Sequence, residues 1–186
     1  QLMPDLEELA LKIHANPEIG LEEEKACAWQ VDLLKKYGFE VETPYAGFDT
    51  AYRAVYKGRK AGPKIAMLAE YDALPEIGHG CGHNLIATQM EKLGAVVKRT
   101  HGEYTPGSSD MGDVSYRCPA VQSTFDINSG RGAIAHTREF TQCAGSPEGI
   151  QAARRVICGF VMTAAELMSN PTYLKEIKHE FENMTR

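Results

Sequence analysis

The sequence predicts an α/β layered fold in which helices at both ends of the chain flank strands in its middle. Apolar residues recur at helical spacing near both termini, whereas the middle of the chain contains short alternating or continuous apolar runs. The chain has 186 residues, of which 43% are hydrophobic, and this suffices to bury the core of one domain. We therefore expect residues 1–186 to form a single domain.

The N-terminal part of the chain predicts two helices. Over residues 4–15 the apolar side chains fall on one face, and Asn16-Pro17 ends that helix. A second helix is predicted over residues 21–37, because an apolar stripe runs along it and glutamates occupy its first turn, where the helix dipole favours negative charge. Gly38 supplies its C-terminal cap.

The middle of the chain predicts strands. Apolar and acidic residues alternate over residues 39–42, and residues 52–56 form a second strand. After a turn at residues 58–63, the mostly apolar KIAMLA at residues 64–69 suits a buried strand. Residues 116–127 predict one or two further strands, which Pro119 breaks or confines to an edge.

The rest of the chain predicts helices and a loop. Residues 85–93 suit a helix, and residues 102–112 form a loop rich in Gly, Ser and Pro. A long helix begins at Ser146-Pro147, with the serine as its N-cap and the proline in its first turn. Asn170-Pro171 ends that helix, and a last short helix follows.

Composition excludes several classes of partner. The net charge of −5 is mildly acidic, so we expect no nucleic-acid binding. No apolar run approaches the roughly 20 residues that span a bilayer, and no signal-peptide pattern opens the sequence, so we expect no membrane partner. The five cysteines are odd in number and scattered, which predicts a reducing, cytoplasmic location.

The stretch EYDALPEIGHGCGHN, residues 70–84, carries the candidate chemistry and leaves three interpretations open. Cys81 and His83 are separated by one glycine, and a thiolate with an imidazole suits a metal site to which Asp72 could contribute. Alternatively, Cys81 is a nucleophile with His79 or His83 as its base. The third interpretation is a glycine-rich turn. Farther along, His136 ends a short apolar run and is either a remote ligand or a core histidine.

Five pieces of the sequence together resemble a known family. They are HANPEIGLEE (residues 14–23), LAEYDALPEIGHGCGHN (68–84), TPGSSDMGDVSYRCPAVQ (105–122), AHTREF (135–140) and the helical region from Gly145 onward. Their order and content are similar to those of the M20 metallopeptidases. The resemblance is to the amidohydrolase branch, which includes aminobenzoyl-glutamate hydrolases, N-acyl-amino-acid amidohydrolases and M20 domain-containing dipeptidases.

The resemblance implies a fold, a metal site and a substrate class. The fold is a zinc-peptidase-like layered one, with a central mixed β-sheet flanked by helices. Cys81, His83 and His136 resemble ligands of the family's di-metal centre. Asp72 resembles the family's catalytic-site acid, which orients the groups of the metal site. Ser109 and Asp110 lie in a segment that lines the family's substrate cleft. The implied cofactor is a divalent metal, zinc or manganese, with cobalt or nickel as further options, and the implied substrate is a small amide or dipeptide.

The chain also departs from the family's pattern. Family members carry a lid and dimerisation domain inserted in the catalytic one, whereas here residues 88 and 89 join directly. An adjacent glutamate pair that supplies the general base, and a further histidine ligand, have no match. We therefore expect at most one ion, no efficient hydrolysis, and self-association through surface uncovered around residues 87–93. The alternative is a lid-deleted or degenerate scaffold or binding domain that is not an enzyme.

Overall fold

The computed structural model describes residues 2–88, 111–127 and 132–184. Over these residues the protein is mostly helical, and its sheet has two antiparallel strands. The elements in chain order are α1 (Leu2–Ala15), α2 (Glu24–Lys36), β1 (Glu40–Glu42), β2 (Arg53–Val55), α3 (His83–Ile86), α4 (Met111–Ser115), α5 (Arg138–Ala144), α6 (Pro147–Ser169) and α7 (Pro171–Met184). None of these helices is long and apolar enough to cross a membrane.

The helices predicted at both ends of the chain are confirmed. α1 buries the face that its spacing predicts, and α2 begins three residues later than expected, where Glu18 accepts hydrogen bonds from the backbone N–H groups of Lys25 and Ala26. Ser146 caps α6 by accepting a hydrogen bond from the backbone N–H of Gly149 at 3.1 Å. Local signals sufficed because a helix makes its backbone hydrogen bonds within itself.

The central mixed sheet is not found in the described residues. The two strands predicted at residues 39–42 and 52–56 are confirmed as β1 and β2, and the structure pairs them antiparallel, with Val41 opposite Ala54. The prediction of a buried strand at residues 64–69 is wrong. The segment forms no strand and is mostly exposed, with Leu68 58% exposed. Residues 116–127 also form no strand. Apolar runs become strands only when another segment pairs with them, and among the described residues neither run has such a partner strand.

The core is built around α1, which contributes to both clusters of buried apolar side chains. Leu9 and Ile13 pack with Ala26 of α2 and with Ala87. The neighbouring face of α1 packs, through Ala10, against α3, α5 and α6. This arrangement places the start of α3, and therefore the residues just before it, in the middle of the molecule. Ala87 and the adjacent Thr88 are buried rather than exposed, and residues 89–93 lie outside the described residues.

Candidate functional site

The segment from residue 70 to residue 84 is anchored at several points. The backbone N–H of Ala73 donates to the carbonyl of Glu18 at 2.7 Å, in an isolated parallel bridge next to α2. A tight turn joins Leu74 and Gly78 through two backbone hydrogen bonds. Gly82 then takes a left-handed conformation, with φ of 77°, and directly precedes α3. These anchors bring Glu70 and Asp72 back onto the first residue of that helix, His83.

His83 is held between two carboxylates. Its Nδ1 donates a hydrogen bond to Asp72 Oδ1 at 2.8 Å, and its Nε2 lies 3.2 Å from Glu70 Oε2. Burial by itself lowers the pKa of His83, but the hydrogen bond to Asp72 and the charges of both carboxylates outweigh burial and raise that pKa. In turn, the hydrogen bond from His83 lowers the pKa of Asp72 against the opposing effect of burial. Asp72 therefore fixes the orientation of the imidazole ring.

Cys81 is half-buried next to the same carboxylates. Burial raises the pKa of its thiol, and the charges of Asp72 and Glu70 raise it further. A cysteine nucleophile needs the opposite surroundings, positive charge that lowers the thiol pKa. The interpretation of Cys81 as a thiol nucleophile is therefore disfavoured, whereas a cation between these groups would reverse the electrostatic effect.

His79, the other candidate base for a thiol nucleophile, is a structural residue. The residue is 1% exposed, and its Nε2 donates to the backbone carbonyl of Ile13 at 3.2 Å. The ring stacks on His14, with 6.1 Å between ring centroids. Burial and the nearby His14 lower the pKa of His79 to about 4, so the ring is neutral at physiological pH. It joins the turn before Cys81 to α1.

The other predicted site residues have different positions. His136 lies against the same loop, because its backbone N–H donates to the carbonyl of Gly80 at 2.8 Å, but its side chain is exposed and its φ is +69°. Its role as a ligand stays a prediction. Ser109 and Asp110 lie outside the described residues, and their role in substrate binding also stays a prediction.

One further acidic residue belongs to the candidate site. The sequence patterns predict no role for Glu70, yet its carboxylate oxygen lies within ion-pair distance of His83 Nε2. The spacing of Glu70 and Asp72 could have indicated this role, because side chains two residues apart lie on the same face of an extended segment. The three donor types present, thiol, imidazole and carboxylate, are those that bind zinc and related ions. In the described part of the chain, however, no three such side chains converge to hold an ion.

Comparison with known proteins identifies relatives over part of this chain, although no family model matches it. The Xaa-Arg dipeptidase of Mus musculus is 41% identical over 92 residues, which cover 42% of this chain and 20% of the relative. One of the subunits of the p-aminobenzoyl-glutamate hydrolase of Escherichia coli is 30% identical over 144 residues, which cover 66% of this chain and 29% of the relative. The hippurate hydrolase of Campylobacter jejuni is 29% identical over 103 residues, covering 48% of this chain and 26% of the relative. The chain thus spans at most 29% of the length of these curated relatives.

Proposed function

Because this chain is partially homologous to the amidohydrolases and dipeptidases of the M20 family, we propose that it is the metal-binding part of a metal-dependent amide hydrolase. The substrates would be N-acyl amino acids, aminobenzoyl-glutamate-like compounds or dipeptides. The observation that carries the proposal is the contact of His83 with Asp72 on one ring nitrogen and with Glu70 next to the other. A histidine that binds a metal through one ring nitrogen commonly donates the N–H of its other ring nitrogen to a carboxylate, which fixes the orientation of the ring.

Each residue has a distinct role in this proposal. Asp72 accepts a hydrogen bond from Nδ1–H of His83 and so leaves Nε2 directed at Glu70, where a cation would compete with a proton for that nitrogen. Cys81 and His136 supply further donor atoms, and the set holds one ion at most. When bound, zinc or manganese supplies polarisation of an amide carbonyl and lowers the pKa of a water molecule. Ser109 and Asp110 would contact the substrate.

Metal analysis tests the proposal. The purified chain, loaded with zinc or manganese and desalted, should retain up to one ion per chain, and Cys81→Ser and His83→Ala should each abolish retention. Asp72→Asn should weaken metal affinity by roughly 10–100-fold, because it removes the support of the ligand rather than the ligand itself. Matched controls are Cys118→Ser and His179→Ala, since both side chains are exposed and distant in sequence from the site. Equal metal content in all five variants and the wild type would contradict the metal site.

The second candidate function is a scaffold or binding domain without catalysis. It is favoured by the absence, in the described ranges, of three converging metal-binding side chains. Hydrolysis assays separate the two functions, with aminobenzoyl-glutamate, hippurate and an arginine-terminated dipeptide as probes. If the chain is an amide hydrolase, we expect slow turnover that requires added metal and is lost in the Asp72→Asn variant. If it is a scaffold, we expect no turnover with any divalent ion.

A further inference from the structure

The segment KIAMLAE, residues 64–70, is apolar in sequence but exposed in the structure. Ile65 is 37% exposed and Leu68 is 58% exposed. In the part of the chain that the structure describes, no backbone hydrogen bond joins this segment to another one. A stretch whose backbone N–H and C=O groups have no partner among the described residues is a template for pairing with another strand.

The charges of this segment are complementary to themselves. Lys64 opens it, Glu70 closes it, and the five residues between them are uncharged. If two copies pair antiparallel about Met67, each Lys64 lies opposite Glu70 of the other copy. A parallel, in-register pairing would instead place lysine beside lysine and glutamate beside glutamate, which is unfavourable. We propose that residues 64–70 form an antiparallel, two-fold symmetric β-interface between two copies of this chain.

The surroundings of the segment agree with this register. Over residues 66–70 exposure alternates, with Met67 and Ala69 half-buried and the residues between them exposed, as on a strand with one face against its own protein. Pro63 immediately precedes Lys64, and because proline has no backbone N–H it limits the pairing at that end. The interface is isologous, since the same residues contribute from both copies, and it therefore closes at a dimer.

The pairing borders the candidate site. Glu70 Oε2 lies 3.2 Å from His83 Nε2, and its carboxylate side chain is 50% exposed. In the dimer the second copy presents Lys64 to this exposed carboxylate. The sequence predicts self-association through residues 87–93, whereas this interface uses residues 64–70.

Cysteine cross-linking tests the register. Residues opposite each other in an antiparallel pair have Cα atoms about 4.5–5.5 Å apart, within the range for a disulfide. Met67→Cys should therefore cross-link to itself on mild oxidation, above the background of the wild-type cysteines. Ala66→Cys and Leu68→Cys should not cross-link to themselves, but an equimolar mixture of these two variants should. Equal cross-linking of all three variants by themselves, or cross-linking of none, overturns the proposal.

Charge reversal provides an independent test by sedimentation equilibrium of the full chain. The wild type should dimerise as concentration rises, and Lys64→Glu should raise the dissociation constant about tenfold or more, because it replaces two opposite-charge pairs by two like-charge pairs. The double variant Lys64→Glu/Glu70→Lys restores complementarity and should restore dimerisation. A wild type that stays monomeric, or a double variant as weak as the single one, overturns the proposal. Circular dichroism confirms that each variant is folded.

Discussion

The substitution Asn84→Ala tests how the fold holds the candidate site in place. Asn84 follows His83 in α3 and is fully buried, with 0% of the residue exposed. Its Nδ2 donates to the carbonyl of Ala144 at 3.1 Å and, more weakly, to that of Ala10 at 3.4 Å. One side chain therefore connects α3 to α5 and α1, and its removal should loosen all three helices at the point where His83 begins α3.

The magnitude follows from these contacts. The hydrogen bond to Ala144 contributes about 0.5–1.5 kcal/mol, and a buried carbonyl left without a partner costs about 1–3 kcal/mol. The bond to Ala10 is longer and contributes less. Among the described atoms, Asn84 Oδ1 has no partner, so its removal offsets part of this cost. We expect Asn84→Ala to lower the free energy of unfolding by about 2 kcal/mol, or the melting temperature by roughly 4–8 °C for a chain of this size.

Urea denaturation followed by circular dichroism measures this change. The matched control is Asn16→Ala, because Asn16 donates its side-chain N–H to the carbonyl of Lys12 at an exposed position. Its loss should change stability by no more than about 0.5 kcal/mol. If the two alanine variants lose equal stability, Asn84 does not hold the three helices together and the reasoning is refuted.

Three further predictions concern single residues. Gly149→Ala should destabilise the protein by about 1–3 kcal/mol, because the new Cβ would overlap the carbonyl oxygen of Cys143. Urea denaturation measures this loss. Ser146→Ala should cost about 0.5–2 kcal/mol by removing the N-cap of α6, measurable by thermal melting. Burial raises the pKa of Tyr52, so a tyrosine that ionises near pH 10 when unfolded stays protonated when folded, and stability falls as pH rises past about 10. Tyr52→Phe should flatten this fall at pH values above about 10, whereas Tyr116→Phe, at an exposed position, should not.

Controls for these predictions are available in the same chain. Gly20→Ala tests the steric argument, since a Cβ at Gly20 has no atom of the described residues within 4 Å. An equal loss of stability in both glycine variants would mean that crowding is not the cause. For the N-cap, Ser146→Asp keeps an acceptor and should retain most of the stability that Ser146→Ala loses. For the alkaline transition, identical pH profiles of Tyr52→Phe and the wild type would contradict the burial of the tyrosine hydroxyl.

Short sequence signals predicted the helices near both ends of the chain, whereas α4 and α5 were not predicted. The apolar face of α1 and the Ser146-Pro147 start of α6 are both found where the sequence places them. The boundary of α2 was less accurate, because its first turn is capped by Glu18, a residue in the preceding loop whose carboxylate reaches the backbone N–H groups only in the folded chain. Strands were predicted less well, and only the short hairpin of β1 and β2 is present in the described residues.

The residue types of the candidate site and the resemblance to a hydrolase family could be established without the structure, because motif spacing and helical periodicity are local properties of the chain. Which groups meet depends on the folded chain: Asp72 and Glu70 contact the two nitrogens of His83, and His79 is buried against α1. The fold also leaves KIAMLA without the buried strand conformation that its composition predicts. The physical reason is common to these cases, since a helix satisfies its backbone within itself, whereas a strand or a side-chain pair needs a partner from another part of the chain.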